Sequence, residues 1–303
     1  MTREGTLPFY LVDVFAVEPL TGNPLSVVDG GEDLPLEIFQ RIAREFNQSE
    51  TTFVLPPTRP DADWRLRSFS TEGVEVFGAG GHNTLGAWWW LAESGRLKLS
   101  EGETVFRQEI GDRVLPLSIS TAGGKPENII MDQEAAVAHK RHENVETLAA
   151  ALGLAVGDID QAKIPAQVIS TGAEHLLVPI RDRETVDRVR PDTKALLSAL
   201  QRVGGEGCYV FSLDARQADA HAYARFFNPT IGIPEDPATG TAAGPLAYHL
   251  VSHGLARPGK VRIEQGTAMG RPSIIEADIN GSSVKIHGRG VISASGELRF
   301  RTK

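Results

Sequence analysis

Apolar positions recur with two different periods along the chain, and each change of period marks an element. At the start, "PFYLVDVFA" is dense in aromatic and β-branched residues and predicts a strand. "TGNPLSVVDGG" adds a turn, a second short strand and a Gly-Gly stop. In "LPLEIFQRIAREF" the spacing becomes helical, with Leu36, Phe39, Ile42, Ala43 and Phe46 on one face and Glu37, Gln40, Arg41 and Arg44 on the other. Alternation returns in "QSETTFVLPP" and "WRLRSFS", both predicted strands. "GHNTLGAWWWLAESG" is apolar around most of a helical circumference through Trp88, Trp89 and Trp90, which predicts a helix buried nearly all round and closed by a left-handed Gly95.

"ETVFRQEIGDRVLPLSIS" reads as a hairpin or meander, and "TAGGKPEN" as the linker to a second half. That half mixes helical "NVETLAAALG" and "DTKALLSAL" with strands "QVISTG", "HLLVPI", "CYVFSL" and "AYARFF". The last segment, from "KVRIEQG" to "GELRF", alternates through several turns in the manner of antiparallel sheet. The class is α/β in the mixed, α+β sense. A doubly wound nucleotide fold is disfavoured, because regular strand–helix alternation and the spaced acidic residue are missing.

The pattern also repeats. Residues 67–95 align with 225–254, one residue being inserted in the second copy: Arg67 meets Arg225, Phe69 meets Phe227, Gly81 meets Gly240, Leu91 meets Leu250 and Gly95 meets Gly254. A weaker match lays 49–57 on 172–180 and puts Ala173 opposite Glu50. A duplicated domain pair, each half built on a buried central helix, follows, with a cleft between the halves as the natural ligand site.

Both copies place a glycine-rich loop before that helix, "FGAGGHNT" and "DPATGTAA". Helix-start N–H groups lack intrahelical partners and carry partial positive charge, so each loop is a ready cradle for an anion such as a carboxylate. Gly80, Gly81 and Asn83 stand in the first, and Thr239, Gly240 and Thr241 in the second. Pro245 is harmless only where the second helix starts at about Ala242 or later. His82 lies opposite Thr241, and Glu235 and Asp236 flank the second loop. Glu50 is the sharpest candidate: a carboxylate matched by a methyl group in the other half suits one-base chemistry.

A chain of 303 residues suggests two domains, with one large domain as runner-up. The formal charge of −8 argues against nucleic-acid or anionic-membrane surfaces and leaves a small molecule as the expected partner. No basic start followed by an apolar stretch marks a secretory signal, and no apolar run is long enough for a membrane helix, so the cytoplasm is the expected location. The single cysteine, Cys208, has no second thiol for a disulfide, zinc or redox pair, and its apolar setting predicts a core thiol.

"DVF", "GNPLSVV", "FNQSETTFV", "GGH", "GIPEDPATGTA" and "QGTAMGRPS", in this order over nearly the whole chain, resemble the phenazine-biosynthesis PhzF-like isomerases. The resemblance implies the diaminopimelate epimerase fold: two pseudo-symmetric domains, each an antiparallel sheet wrapped around a central helix. The corresponding division is residues 1–122 with 288–303, carrying the glutamate, and residues 123–287, carrying "EDPATGT". It implies a cofactor-free enzyme without a metal, often a homodimer, acting on a small carboxylic acid. The glutamate of its N-Q-S-E-T motif is the acid/base that, in the best-known member, moves a proton across one face of a dihydro-hydroxyanthranilate ring. By motif that residue is Glu50, with His82 and Asp236 beside it and Thr241 where the family usually has serine. Related racemases use two cysteines at the positions of Gly80 and Thr239, so two-thiol racemisation is excluded. A dehydratase or epimerase of the same fold and a non-catalytic acid-binding protein are the competing readings.

Overall fold

A computed structural model of the chain describes residues 3–78 and 81–302. Met1–Met131 with Gly288–Lys303 form one compact unit, and Asp132–His287 form a second.

The first unit opens with β1 (Arg3–Val14) and β2 (Asn23–Asp29), an antiparallel pair. Helix α1 (Leu36–Phe46) then crosses to β3 (Glu50–Leu55), which lies parallel to β2. The remaining elements are β4 (Trp64–Ser70), the short β5 (Glu75–Val76), α2 (His82–Glu93), β6 (Gly102–Ile110), β7 (Arg113–Ala122) and β8 (Lys125–Asp132). β4 is antiparallel to β3 and parallel to β6. The expected antiparallel sheet is thus interrupted by two parallel joints, where α1 and α2 make the crossovers that parallel neighbours require.

α1 buries Ile38, Phe39, Ile42 and Ala43 against Phe53 and Phe69 on one face of the sheet. Leu36, placed on the apolar face by its spacing, is instead half exposed because it sits in the first turn, beyond the edge of that core. On the other face α2 is buried along His82–Ala92, as its all-round apolar surface predicts. Gly95, at φ 74°, follows its last turn. The expected linker is a hairpin turn: Gly123 and Gly124, at φ 58° and 77°, let Ala122 pair with Lys125, so the first unit continues to Met131 instead of ending at Ala122.

The second unit comprises β9 (Val137–Arg141), α3 (Val145–Leu152), β10 (Gln167–Ser170), β11 (Glu174–Pro179), α4 (Arg183–Arg188), α5 (Thr193–Val203), β12 (Gly207–Ser212), β13 (Ala222–Asn228), β14 (Ile233–Asp236), α6 (Gly240–Ser252), β15 (Gly259–Gln265), β16 (Ser273–Asn280) and β17 (Ser283–Gly288). β11 is parallel to β12 across α4 and α5, and β13 is parallel to β15 across α6. The last strand, β18 (Gly290–Thr302), returns to the first unit and pairs with β1.

The ladders correct part of the repeat. β3 and β12 both follow a parallel crossover and both pair antiparallel with the next strand, so β12, not β11, is the counterpart of β3. With Arg67 matched to Arg225, their cross-strand partners Phe53 and Val210 match, and Glu50 falls on Gly207 instead of Ala173. The asymmetry survives with a different residue.

The same register pairs features absent from the linear alignment. Arg67 holds Glu75 through two bonds of 2.7 Å, and Arg225 holds Glu235 through bonds of 2.7 and 2.8 Å. Each guanidinium lies over the matching phenylalanine, Phe69 at 5.1 Å and Phe227 at 5.0 Å. Glu109 likewise falls on Glu264. Among the described residues, no helix is long and apolar enough to cross a membrane.

Candidate active site

α1 ends on Asn47 in the left-handed region (φ 52°), its N–H bonded to the Ala43 carbonyl. Asparagine tolerates that conformation, and the chain can reverse within three residues into β3. Glu50 is therefore fixed at the mouth of an interior strand, opposite Ser70. Its side chain is 21% exposed, and Oε2 lies 3.2 Å from His82 Nε2. Ser49 Oγ is 3.3 Å from the same nitrogen. The carboxylate is within ion-pair distance of the imidazole, yet among the described residues Oε2 accepts no aligned hydrogen bond. Burial accordingly pushes the Glu50 carboxyl up to about 7, with a hydrogen bond from Ser49 opposing the shift.

His82 is the first residue of α2, so its ring and the unpaired N–H groups of the helix start occupy one place. Gly81 precedes it, and a Cβ there would lie 2.7 Å from Asn83 Oδ1, which explains the glycine. The amide of Asn83, expected to face a ligand, is spent on the fold: Nδ2 donates to Ser68 Oγ (3.1 Å) and to the Gly78 carbonyl (3.2 Å), tying the glycine loop to β4. Gly80 lies outside the described residues.

In the second unit Asp236 ends β14 and is buried. The Thr239 hydroxyl donates to Asp236 Oδ2, and the Thr239 N–H donates to Gln265 Oε1 (3.1 Å). Gln265 Nε2 returns bonds to the Asp236 carbonyl (2.7 Å) and Thr239 Oγ1 (3.1 Å), and Tyr209 Oη donates to Gln265 Oε1 (2.8 Å). This network holds the loop rigid before α6.

α6 starts at Gly240, earlier than Pro245 allows for a fully bonded helix. Pro245 has no N–H to give the Thr241 carbonyl, and Gln133 Nε2 reaches in to cap the Gly240 carbonyl at 3.0 Å. A Cβ on Gly244 would strike Gln133 Oε1 at 2.0 Å, so that glycine makes the reach feasible. Thr241 is half-buried, its hydroxyl 3.3 Å from His175 Nε2.

Ser49, Gln265, Tyr209 and His175 were missed as site residues. Gln265 sits in the "QGTAMGRPS" stretch, and His175 is the one ring nitrogen donor in the apolar run "HLLVPI"; a polar residue in a fully buried strand is a readable signal. Cys208 is buried, and burial pushes its thiol up to about 12, which makes it the core residue its setting predicts.

The phenazine biosynthesis-like (PhzC-PhzF) family model matches residues 12–296. The chain belongs to this family. A trans-2,3-dihydro-3-hydroxyanthranilate isomerase of Pseudomonas aeruginosa is 33% identical over 298 residues, covering 95% of this chain and 98% of the relative. The crystal structure of a PhzF-family protein from Bacillus anthracis superposes with a TM-score of 0.86 at 26% identity, covering 97% and 99% of the two chains. A hydroxyproline epimerase from Agrobacterium vitis shares the fold alone, at 15% identity and a TM-score of 0.63 over 97% and 91%. The PhzF-family protein is an enzyme of the isomerase type, its fold shared with these epimerases.

Proposed function

We propose that the protein moves a proton between two carbons of a small unsaturated carboxylic acid, with Glu50 taking and returning it. The observation that carries this reading is a carboxyl brought toward neutrality at the start of β3, 3.2 Å from the first side chain of a buried helix. A group that must act first as base and then as acid works best with a pKa near the operating pH, and burial brings Glu50 to about 7.

In the proposed sequence, ionised Glu50 removes a proton from a carbon conjugated to the substrate's carboxylate. The electron pair left behind spreads through the double bond onto the carboxylate, and the resulting anion is held by the N–H groups at the start of α2. The protonated Glu50 then delivers its proton to another carbon on the same face. Nothing is oxidised and no atom is lost. His82, 3.2 Å from the carboxylate, orients Glu50 and assists the transfer. In the second unit Thr239, Gly240 and Thr241 form another anion-binding helix start, with Asp236 as its polar neighbour.

Acids related to the substrate named for the Pseudomonas aeruginosa relative, trans-2,3-dihydro-3-hydroxyanthranilate included, are the first to test. In deuterium oxide the expected product has the carbon skeleton of its substrate with no loss of water, and it carries a solvent deuteron to the extent that protonated Glu50, whose side chain is 21% exposed, exchanges with solvent before it delivers its proton. Glu50→Gln is expected to slow exchange by about 10²–10⁴-fold while binding persists. Exchange retained in that variant would sink the role of Glu50, and a product lighter by one water would turn the reading toward a dehydratase.

A further inference from the structure

Beside the second helix start lies a histidine that the proton-transfer scheme does not use. His175 lies on β11, 3% exposed, with its ring edge-on to Phe226 at 5.0 Å. Its register matches Leu25 on β2, a fully buried apolar residue packed beside α2, so the fold itself does not demand a polar ring at this position. Space is made for it: a Cβ on Gly207 would come within 3.0 Å of His175 Nδ1 and 2.5 Å of Phe226. Gly207 is the residue that replaces Glu50 in this unit.

The two ring nitrogens differ in their surroundings. Nε2 is 3.3 Å from Thr241 Oγ1. Nδ1 is buried and, among the described residues, has no hydrogen-bond partner. Burial drives the imidazole down to about 4, so at neutral pH the ring is uncharged and carries a single proton. A proton on Nδ1 would be a buried N–H with no acceptor, the rarer and costlier kind of orphan; a bare lone pair there is tolerated more readily. The proton therefore belongs on Nε2, where it meets the threonine oxygen.

We propose that His175 is a positioning residue that sets the polarity of the Thr241 hydroxyl: Nε2–H donates to Thr241 Oγ1, and the hydroxyl's own proton is thereby turned toward a carboxylate bound at the first turn of α6. This rests on the reading of the α6 start as a second anion-binding helix start, and it deepens that reading by naming a carboxylate as the anion. It also assigns a purpose to the threonine: an oxygen already accepting one bond is a committed donor to the next partner, suited to an anion and not to a substrate N–H or O–H.

Two measurements test it. Nitrogen-15 NMR of histidine-labelled protein, with the His175 signals assigned by their loss in His175→Gln, is expected to show Nε2 protonated and Nδ1 bare; the opposite tautomer overturns the proposal without reference to any ligand. The second is calorimetric titration with anthranilate, a stable carboxylate probe. Thr241→Val and His175→Leu are each expected to weaken binding about tenfold, the worth of one hydrogen bond to a charged group. The double variant should be no weaker than either single one, and His175→Gln, whose amide can donate from the place of Nε2, should bind like the original protein. A loss in Thr241→Val with none in His175→Leu refutes the role of His175 and leaves the helix start intact as an acid-binding element. Undiminished binding in both refutes the acid-binding reading of α6 as well, while the deuterium exchange of Glu50 still stands or falls separately.

Discussion

Burial raises the Glu50 carboxyl from 4.5 to about 7, and that shift sets two pH dependences of opposite sense. Removing a carbon-bound proton needs the ionised form, so kcat/KM is expected to rise through about pH 7 and then level off; a profile flat from pH 5 to 8 counts against Glu50 as the base. Stability runs the other way. Between pH 4.5 and 7 the folded protein holds a proton on Glu50 that the unfolded chain has released, so stability falls as pH rises through this window. The cost is absent below the unfolded value, complete above the folded one, and reaches roughly 3 kcal/mol at most, at 1.36 kcal/mol per unit. Glu50→Gln is therefore expected to melt higher than the original protein at pH 8 and nearly level with it at pH 4. The residue itself was legible as a carboxylate among small polar groups after a helix. Its altered proton affinity was not, because that depends on how β3 and α2 enclose it. The register error that paired it with Ala173 has a similar origin: β11 and β12 are both apolar strands, and only the ladders distinguish which one follows the crossover.

The central helix α2 shows what an all-round apolar sequence demands at element scale. It must approach β1 and β2 closely, and Gly86 permits the approach: a Cβ there would lie 2.7 Å from Leu25 Cδ2 and 2.8 Å from Val14 Cγ2. Gly86→Ala gains up to about 1 kcal/mol of intrinsic helix propensity. Against this stands overpacking of about 1–3 kcal/mol at a position enclosed by fully buried neighbours. The net expectation is a lower midpoint in urea denaturation with an unchanged slope; a raised midpoint would show that the strands yield more easily than their burial implies. α1 and α2 were both readable, one from its amphipathic spacing and the other from its lack of any polar face. α4 was not, since six residues give no period, and β9 was not, since its side chains are all exposed and carry no alternation to read. The left-out capping partner Gln133 is further from sequence still, lying over a hundred residues from the carbonyl it serves.

At the scale of the whole molecule, the duplication preserves the supports of the site more faithfully than the site itself. Glu50 against Gly207 and Val76 against Asp236 differ in kind, whereas the two Arg–Glu clamps and the two buried glutamates recur. Glu109 accepts from the backbone N–H groups of Thr58 (2.7 Å) and Arg59 (3.1 Å), fastening the connection between β3 and β4. Glu264 accepts from those of Arg216 (2.7 Å) and Gln217 (2.6 Å), fastening the connection between β12 and β13. Each is 3% exposed, and those N–H groups satisfy its oxygens. Burial raises the Glu109 carboxyl, but the Thr58 and Arg59 bonds and the nearby Arg65 outweigh it and hold the group below its ordinary value. The stability it contributes is present above the unfolded pKa and lost as pH falls through the folded one. Glu109→Ala and Glu264→Ala each strip two backbone N–H groups of a charged acceptor, and each is expected to destabilise by about 1.5–3 kcal/mol at pH 7. They share no partner, so the double variant should lose the sum of the two to within about 0.5 kcal/mol. Chemical denaturation of the two single variants and the double one measures this directly. A double variant no weaker than one single would mean that the supports act through a common element instead of fastening each unit's own loop.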